Sequence, residues 1–103
     1  MQLWTNRLPV TRQQIAEFCA RWGIQEFALF GSVLRDDFNP GSDVDVLITL
    51  DASKPHGPFD WVDMRGELQL LFRRKVDLAS PRILQNPFRR ATILRSREVL
   101  HAA

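Results

Sequence analysis

The chain is poor in cysteine and glycine and has no long apolar run. Its one cysteine, Cys19, cannot close an internal disulfide, so a reducing cytoplasm is the expected compartment. No apolar stretch approaches the roughly 18–20 residues that a membrane span requires, so no membrane association is expected. The opening segment, Met1 to Arg7, lacks the apolar core and small-residue cleavage site of a secretory signal. There is no G-x-x-x-x-G-K-[ST] and no G-x-G-x-x-G, which excludes a P-loop and the usual dinucleotide fingerprint. The two histidines, His56 and His101, lie far apart with no cysteine at zinc spacing, which argues against a zinc site. His56, inside a Pro/Gly loop, reads as solvated. No internal repeat, linker or low-complexity tract is visible. What remains is ordinary: 103 residues, 45% hydrophobic and 25% charged. Those values fit one globular domain over residues 1–103.

Charge is nearly balanced overall, at +2, but unevenly placed. Residues 1–64 hold 5 basic and 9 acidic side chains, while residues 65–103 hold 9 basic and 3 acidic. The acidic part suits a metal site. The basic part, with Arg73-Arg74-Lys75 and Arg89-Arg90, suits nucleotide phosphates, RNA, an acidic partner or simply a solvated helical surface. Direct nucleic-acid binding is the less expected of these.

Periodicity places the elements. Thr11 reads as a helix N-cap with Gln14 as its capping-box partner. Ile15, Phe18, Cys19 and Trp22 then form one apolar stripe, ended by Gly23. Phe27 to Phe30 reads as a short buried strand, ended by Gly31-Ser32, with a short helix expected over Val33 to Asp37. Asn39-Pro40-Gly41-Ser42 is turn chemistry. Asp43 to Leu50 is the clearest strand. It puts Val44, Val46, Ile48 and Leu50 on one face and Asp43, Asp45, Leu47 and Thr49 on the other. Residues 51–58 read as a loop and Asp60 to Phe72 as a helix interrupted by Gly66. Lys75 to Ala79 reads as a third strand with Asp77 opposite Val76 and Leu78. Phe88 to Leu100 is expected to be a C-terminal helix with a ragged stripe. Trp22 and Trp61 lie on apolar stripes and are read as core, whereas Trp4 has no assigned element. The order α-β-α-β-α-β-α predicts an α/β (α+β) fold, a short sheet with a layer of helices.

The chemistry sits on three acids. Asp43 and Asp45, two apart on a strand, leave the same face beside a turn that solvent reaches. Like charges so close repel unless a cation sits between them. Mg²⁺ takes oxygen ligands and keeps waters for substrate phosphates. Two exposed aspartates at a turn would give the same pair. Asp77 has the same placement on another strand. If the strands are neighbours, three carboxylates converge as two-metal phosphoryl-transfer sites require. Gly31-Ser32 after a strand allows close backbone approach and offers N–H and hydroxyl donors to phosphate. A plain tight turn is the other reading of that dipeptide.

Phe30-Gly31-Ser32, then Asp43-Val44-Asp45, then Val76-Asp77-Leu78 resembles the DNA polymerase β-like nucleotidyltransferase superfamily. The small size resembles its minimal nucleotidyltransferase (MNT) branch, which includes MntA-type antitoxins paired with HEPN-domain ribonuclease toxins. The resemblance spans about residues 27–79. It implies a short mixed β-sheet with helices packed on it, the polymerase β-like nucleotidyltransferase core. It implies that Asp43, Asp45 and Asp77 bind two Mg²⁺ ions and that Asp77 helps deprotonate the attacking hydroxyl. It implies that Gly31 and Ser32 hold the β/γ-phosphates of ATP and that Arg35 neutralises phosphate charge. Ser42 matches a frequent Ser-Asp of the family and reads as a turn residue. Three positions depart from the usual pattern: Leu34 where alanine is frequent, Asp36 where glycine is frequent, and no tyrosine over residues 93–103. Asp36 is expected to weaken nucleotide binding if it faces the phosphates.

The resemblance thus implies a protein adenylyltransferase that moves AMP from ATP to a hydroxyl, a tyrosine of a cognate HEPN toxin, and acts as its antitoxin. The short chain fits an acceptor supplied by a partner. The alternative is a non-catalytic binding module that neutralises the partner by contact. A third option is transfer to a small molecule or an RNA end.

Overall fold

The computed structural model describes residues 7–102. Trp4, with the rest of residues 1–6, lies outside them. Helix α1, Arg12–Trp22, starts at the expected capping box: Thr11 Oγ1 accepts from the Gln14 N–H and Gln14 Oε1 accepts from the Thr11 N–H. It ends at Gly23, whose φ of 66° is the left-handed cap that glycine adopts freely. Ile15, Phe18 and Cys19 bury its apolar face, and burial pushes the Cys19 thiol up to about 12. Cys19 is therefore predicted to resist a thiol reagent in the folded protein and to react at once in denaturant.

Strand β1, Ile24–Phe30, leads into a 3₁₀ turn, Gly31–Leu34. Strand β2, Val44–Leu50, follows, then helix α2, Asp60–Phe72, and strand β3, Val76–Ala79. A second 3₁₀ turn, Pro81–Gln85, precedes helix α3, Pro87–Ser96, and strand β4, Glu98–Ala102. The sheet order is β3-β2-β1-β4, with β2 parallel to β3 and the other pairs antiparallel. This is the mixed sheet with packed helices that the resemblance implied. A parallel pair needs a crossover, and α2 supplies it.

Two expectations fail locally. The short helix lies at 31–34, not 33–37. The C-terminal helix stops at Ser96, and residues 98–102 form a fourth strand instead. The ragged stripe explains this: α3 buries only Ile93, while Phe88 is 86% exposed. A helix continued to residue 100 would bury little. Pairing with β1 satisfies the backbone of 98–102 and buries Leu100. Arg97 locks the exchange through an ion pair to Glu26 at 2.9 Å, both side chains half-buried.

The sheet has two unequal faces. Phe27, Leu29, Val44, Val46, Ile48 and Val76 pack with α1 and α2 in the larger core. Trp22 and Trp61 pack against that core, as their stripes implied. Ala28, Phe30 and Leu47 face the other way and meet Ile93 of α3 in a smaller cluster. Arg21 joins α1 to α2 by a two-pronged pair with Glu67, at 2.8 and 2.6 Å. His56 is not simply solvated; its Nε2 lies 2.8 Å from the Trp22 carbonyl oxygen and ties the 51–58 loop to the end of α1.

Gly66 does not break α2, and a Cβ there would meet nothing within 4 Å. Gly66→Ala is predicted to stabilise the protein by about 1 kcal/mol, because alanine loses less backbone entropy in a helix. A thermal midpoint about 4–8 °C higher is the expected readout.

Candidate active site

The small-core face carries the acids. Side chains alternate along a strand, so Asp45, between Val44 and Val46 of the larger core, emerges on the side of Leu47. Strand β3 runs parallel to β2 with Asp77 in register with Asp45. Asp77 lies between Val76 and Leu78, which turn to the larger core, so it shares Asp45's face. Asp43 immediately precedes β2 and is exposed. Asp45 is half-buried, and its carboxyl is held above the ordinary aspartate range. Burial is the main cause, followed by the charges of Asp77 and then Asp43, while Arg89 and Arg35 pull the other way. The three acids therefore form one repelling group on the sheet.

Gly31 stands against this group. Phe30 pairs with Asp45 across β1 and β2, and the chain then turns sharply at Gly31, with φ at 77°. A Cβ on residue 31 would lie 2.1 Å from Asp45 Oδ2. Only glycine allows both the left-handed backbone and this approach. Ser32 pins the turn to the acidic strand: its hydroxyl donates to the Asp43 carbonyl oxygen at 3.3 Å.

The segment before Asp43 is held from behind by Arg74. Its guanidinium donates to the carbonyl oxygens of Asn39 and Ser42, at 3.1 and 2.9 Å. It also lies 4.3 Å from the centre of the Phe38 ring. The basic run at 73–75 was open to phosphate, RNA or partner contact; Arg74 is used internally. Arg7 closes the other side, donating to the carbonyl oxygens of Val33 and Arg35.

A cleft of about 530 Å³ opens on the same face. One wall is Phe30, Gly31, Leu34, Arg35 and Asp45, and the other is Phe88, Arg89, Thr92, Ile93 and Ser96 of α3. Of the residues singled out from sequence, Gly31, Arg35 and Asp45 line it; Ser32, Asp43 and Asp77 stand beside it, outside the lining. Arg35 pairs with Asp37 at 3.1 Å, both well exposed, so the neighbouring carboxylate that engages it is Asp37 and not Asp36. Phe88, Thr92 and Ser96 were not anticipated. Their only signal was helical spacing of four along a segment with too few apolar residues for a core helix.

The acids suit a hard divalent ion. Among the described residues no three His, Cys, Asp or Glu side chains close into a ready-made ligand cage. Mg²⁺ does not demand one, since it keeps several waters and shares its shell with substrate oxygens. Oxygen donors that repel one another beside an open cleft fit a cation brought together with a phosphate-bearing substrate.

Known proteins resemble this chain in sequence and in fold. Residues 11–100 match the Nucleotidyltransferase domain family. The chain is 27% identical over 84 residues to "Putative protein adenylyltransferase MJ0126" of Methanocaldococcus jannaschii, covering 82% of this chain and 84% of that one. A solved structure described as a putative minimal nucleotidyltransferase is 30% identical, with a TM-score of 0.70 and 95% of each chain covered. A chain in the solved complex of a tri-AMPylated Shewanella oneidensis HEPN toxin with an MNT antitoxin has the same fold. There the TM-score is 0.59, the identity 15%, and the match covers 89% of this chain and 70% of that one. The sheet, its acidic face and these likenesses agree: the chain belongs to the Nucleotidyltransferase domain family and is a nucleotidyltransferase of the minimal kind.

Proposed function

We propose that this protein transfers AMP from ATP to a hydroxyl, a tyrosine side chain of a cognate HEPN toxin, and so acts as an antitoxin. The observation that carries the reading is the in-register pairing of Asp45 with Asp77 on one sheet face, against the Gly31 turn and an open cleft. The adenylyltransferase name of the Methanocaldococcus jannaschii relative supports the group transferred. The AMPylated HEPN toxin in the complex of similar fold supports the acceptor.

In this reading Asp43, Asp45 and Asp77 would hold two Mg²⁺ ions, and the metal would supply charge stabilisation at the α-phosphate. The Gly31 turn lets backbone approach the β- and γ-phosphates, with Ser32 fixing the turn. Arg35 sits at the cleft wall and releases Asp37 to meet phosphate. Asp77 takes the proton of the acceptor hydroxyl. The acceptor oxygen then bonds to the α-phosphorus, and the bond to the bridging oxygen breaks. Pyrophosphate leaves with that electron pair.

The test is incubation with α-³²P-labelled ATP, Mg²⁺ and a HEPN protein from the same organism. Label on the HEPN protein, lost when its acceptor tyrosine is changed to phenylalanine, is expected. No label, with the toxin still neutralised, would establish neutralisation by contact instead.

A further inference from the structure

The cleft has two cationic side chains in its lining, Arg35 and Arg89, one from each wall. They are not equivalent. Arg35 is already paired with Asp37. The Arg89 guanidinium lines the opposite wall and has no hydrogen bond or ion pair among the described residues. The rest of the α3 wall offers little to a phosphate. Thr92 Oγ1 donates to the Phe88 carbonyl oxygen and Ser96 Oγ to the Thr92 carbonyl oxygen, at 3.2 and 2.7 Å, so both hydroxyl protons are used within the helix. Ile93 is buried. Phe88, at the same wall, is 86% exposed.

We infer that Arg89 of α3 is a phosphate-binding residue of this cleft, contacting the triphosphate of the nucleotide from the wall opposite Gly31 and Arg35. The inference rests on the nucleotide reading of the cleft given above. It assigns the recognition of phosphate to a helix outside the three-part motif. A guanidinium donates two parallel N–H bonds to phosphate oxygens, and an unpaired one has no competing partner to release. Arg90, the next residue, is equally charged and exposed but does not line the cleft, which makes it an internal control.

Calorimetric titration of the whole protein with ATP, inorganic tripolyphosphate and adenosine, in Mg²⁺, tests this. Arg89→Ala is expected to weaken ATP and tripolyphosphate binding about tenfold or more, with adenosine unchanged. Arg89→Lys is expected to recover part of the loss, and Arg90→Ala to stay within twofold of the unaltered protein. Equal ATP affinity for Arg89→Ala and Arg90→Ala would overturn the inference. So would an equal loss for ATP and adenosine, which would mean that Arg89 shapes the wall without meeting phosphate. If the unaltered protein binds neither ATP nor tripolyphosphate, the nucleotide reading itself fails, and that result is distinct from the other two. All variants are compared at matched thermal midpoints, as expected for an exposed side chain.

Discussion

Asp45→Asn combined with Asp77→Asn is expected to lower nucleotidyl transfer by on the order of 10³-fold or more, because in the proposed site these carboxylates would hold the cations that stabilise charge at the phosphoryl group. The same pair of changes is expected to raise the thermal midpoint of the metal-free protein. Asp45 is half-buried and repelled by Asp77 and Asp43, and its folded carboxyl titrates above the ordinary range. A raised carboxylate pKa means that the folded chain holds a proton more tightly than the unfolded one. Stability from this group is then lost as pH rises through that window, and the ionised form is a net cost at neutral pH. Asp45→Asn removes the cost. Its advantage over the unaltered protein, measured by calorimetry in EDTA, should be largest near neutral pH and close as pH falls below the titration of Asp45. Adding Mg²⁺ with ATP should reverse the ranking, because only the unaltered protein gains from binding. A variant that is inactive but no more stable would separate catalysis from the proposed repulsion. A stable site that sacrifices nothing would contradict it.

Gly31→Ala is the second large effect. The added methyl would stand 2.1 Å from Asp45 Oδ2, and the backbone φ of 77° is one that alanine adopts only under strain. Strain of this kind costs about 1–3 kcal/mol. Moving Asp45 to make room should also cost most of the activity, since displacements near 1 Å are expensive in a positioned site. Two causes are separable in a double-mutant cycle. In an Asp45→Ala background the carboxylate no longer blocks the methyl, so Gly31→Ala should cost less stability than it does alone. The remaining cost is the backbone strain together with the 3.3 Å approach to the residue-45 Cβ. Equal costs in the two backgrounds would show that the close approach to Asp45 has no energetic weight. Urea unfolding of the four proteins supplies the comparison.

These effects concentrate where the sequence was most readable. Val44, Val46 and Ile48 alternate with Asp45 and Leu47, so the faces of β2 follow from period two alone. The capping box at Thr11 and Gln14 and the stop at Gly23 are local chemistry, and α1 formed as expected. Asp77 between two aliphatic residues had one open question, whether β3 lies beside β2, and the parallel register answers it. The missed features depend on partners distant in sequence. Glu98–Ala102 is a strand because β1 offers an edge some 70 residues away, and its own residues favour neither state strongly. Gln25 and Glu26 look unlike the start of a central strand, yet Glu26 is accommodated by Arg97. Arg74 looked like a free surface charge because its acceptors, the carbonyls of Asn39 and Ser42, lie far back in the chain. The α3 wall of the cleft was hidden for the same reason. Nothing in Phe88 to Ser96 states which sheet face it will cover until Ile93 meets Ala28, Phe30 and Leu47.

In the proposed mechanism Asp43, Asp45 and Asp77 form one divalent-ion centre that assembles with nucleotide. The most direct measurement replaces Mg²⁺ by Mn²⁺ and counts bound ions by electron paramagnetic resonance, in the presence of a non-hydrolysable ATP analogue. Two bound Mn²⁺ per chain are expected, with weak or no binding in the Asp45→Asn/Asp77→Asn protein. Equal Mn²⁺ binding by the two proteins, or none by either at saturating nucleotide, would contradict the mechanism.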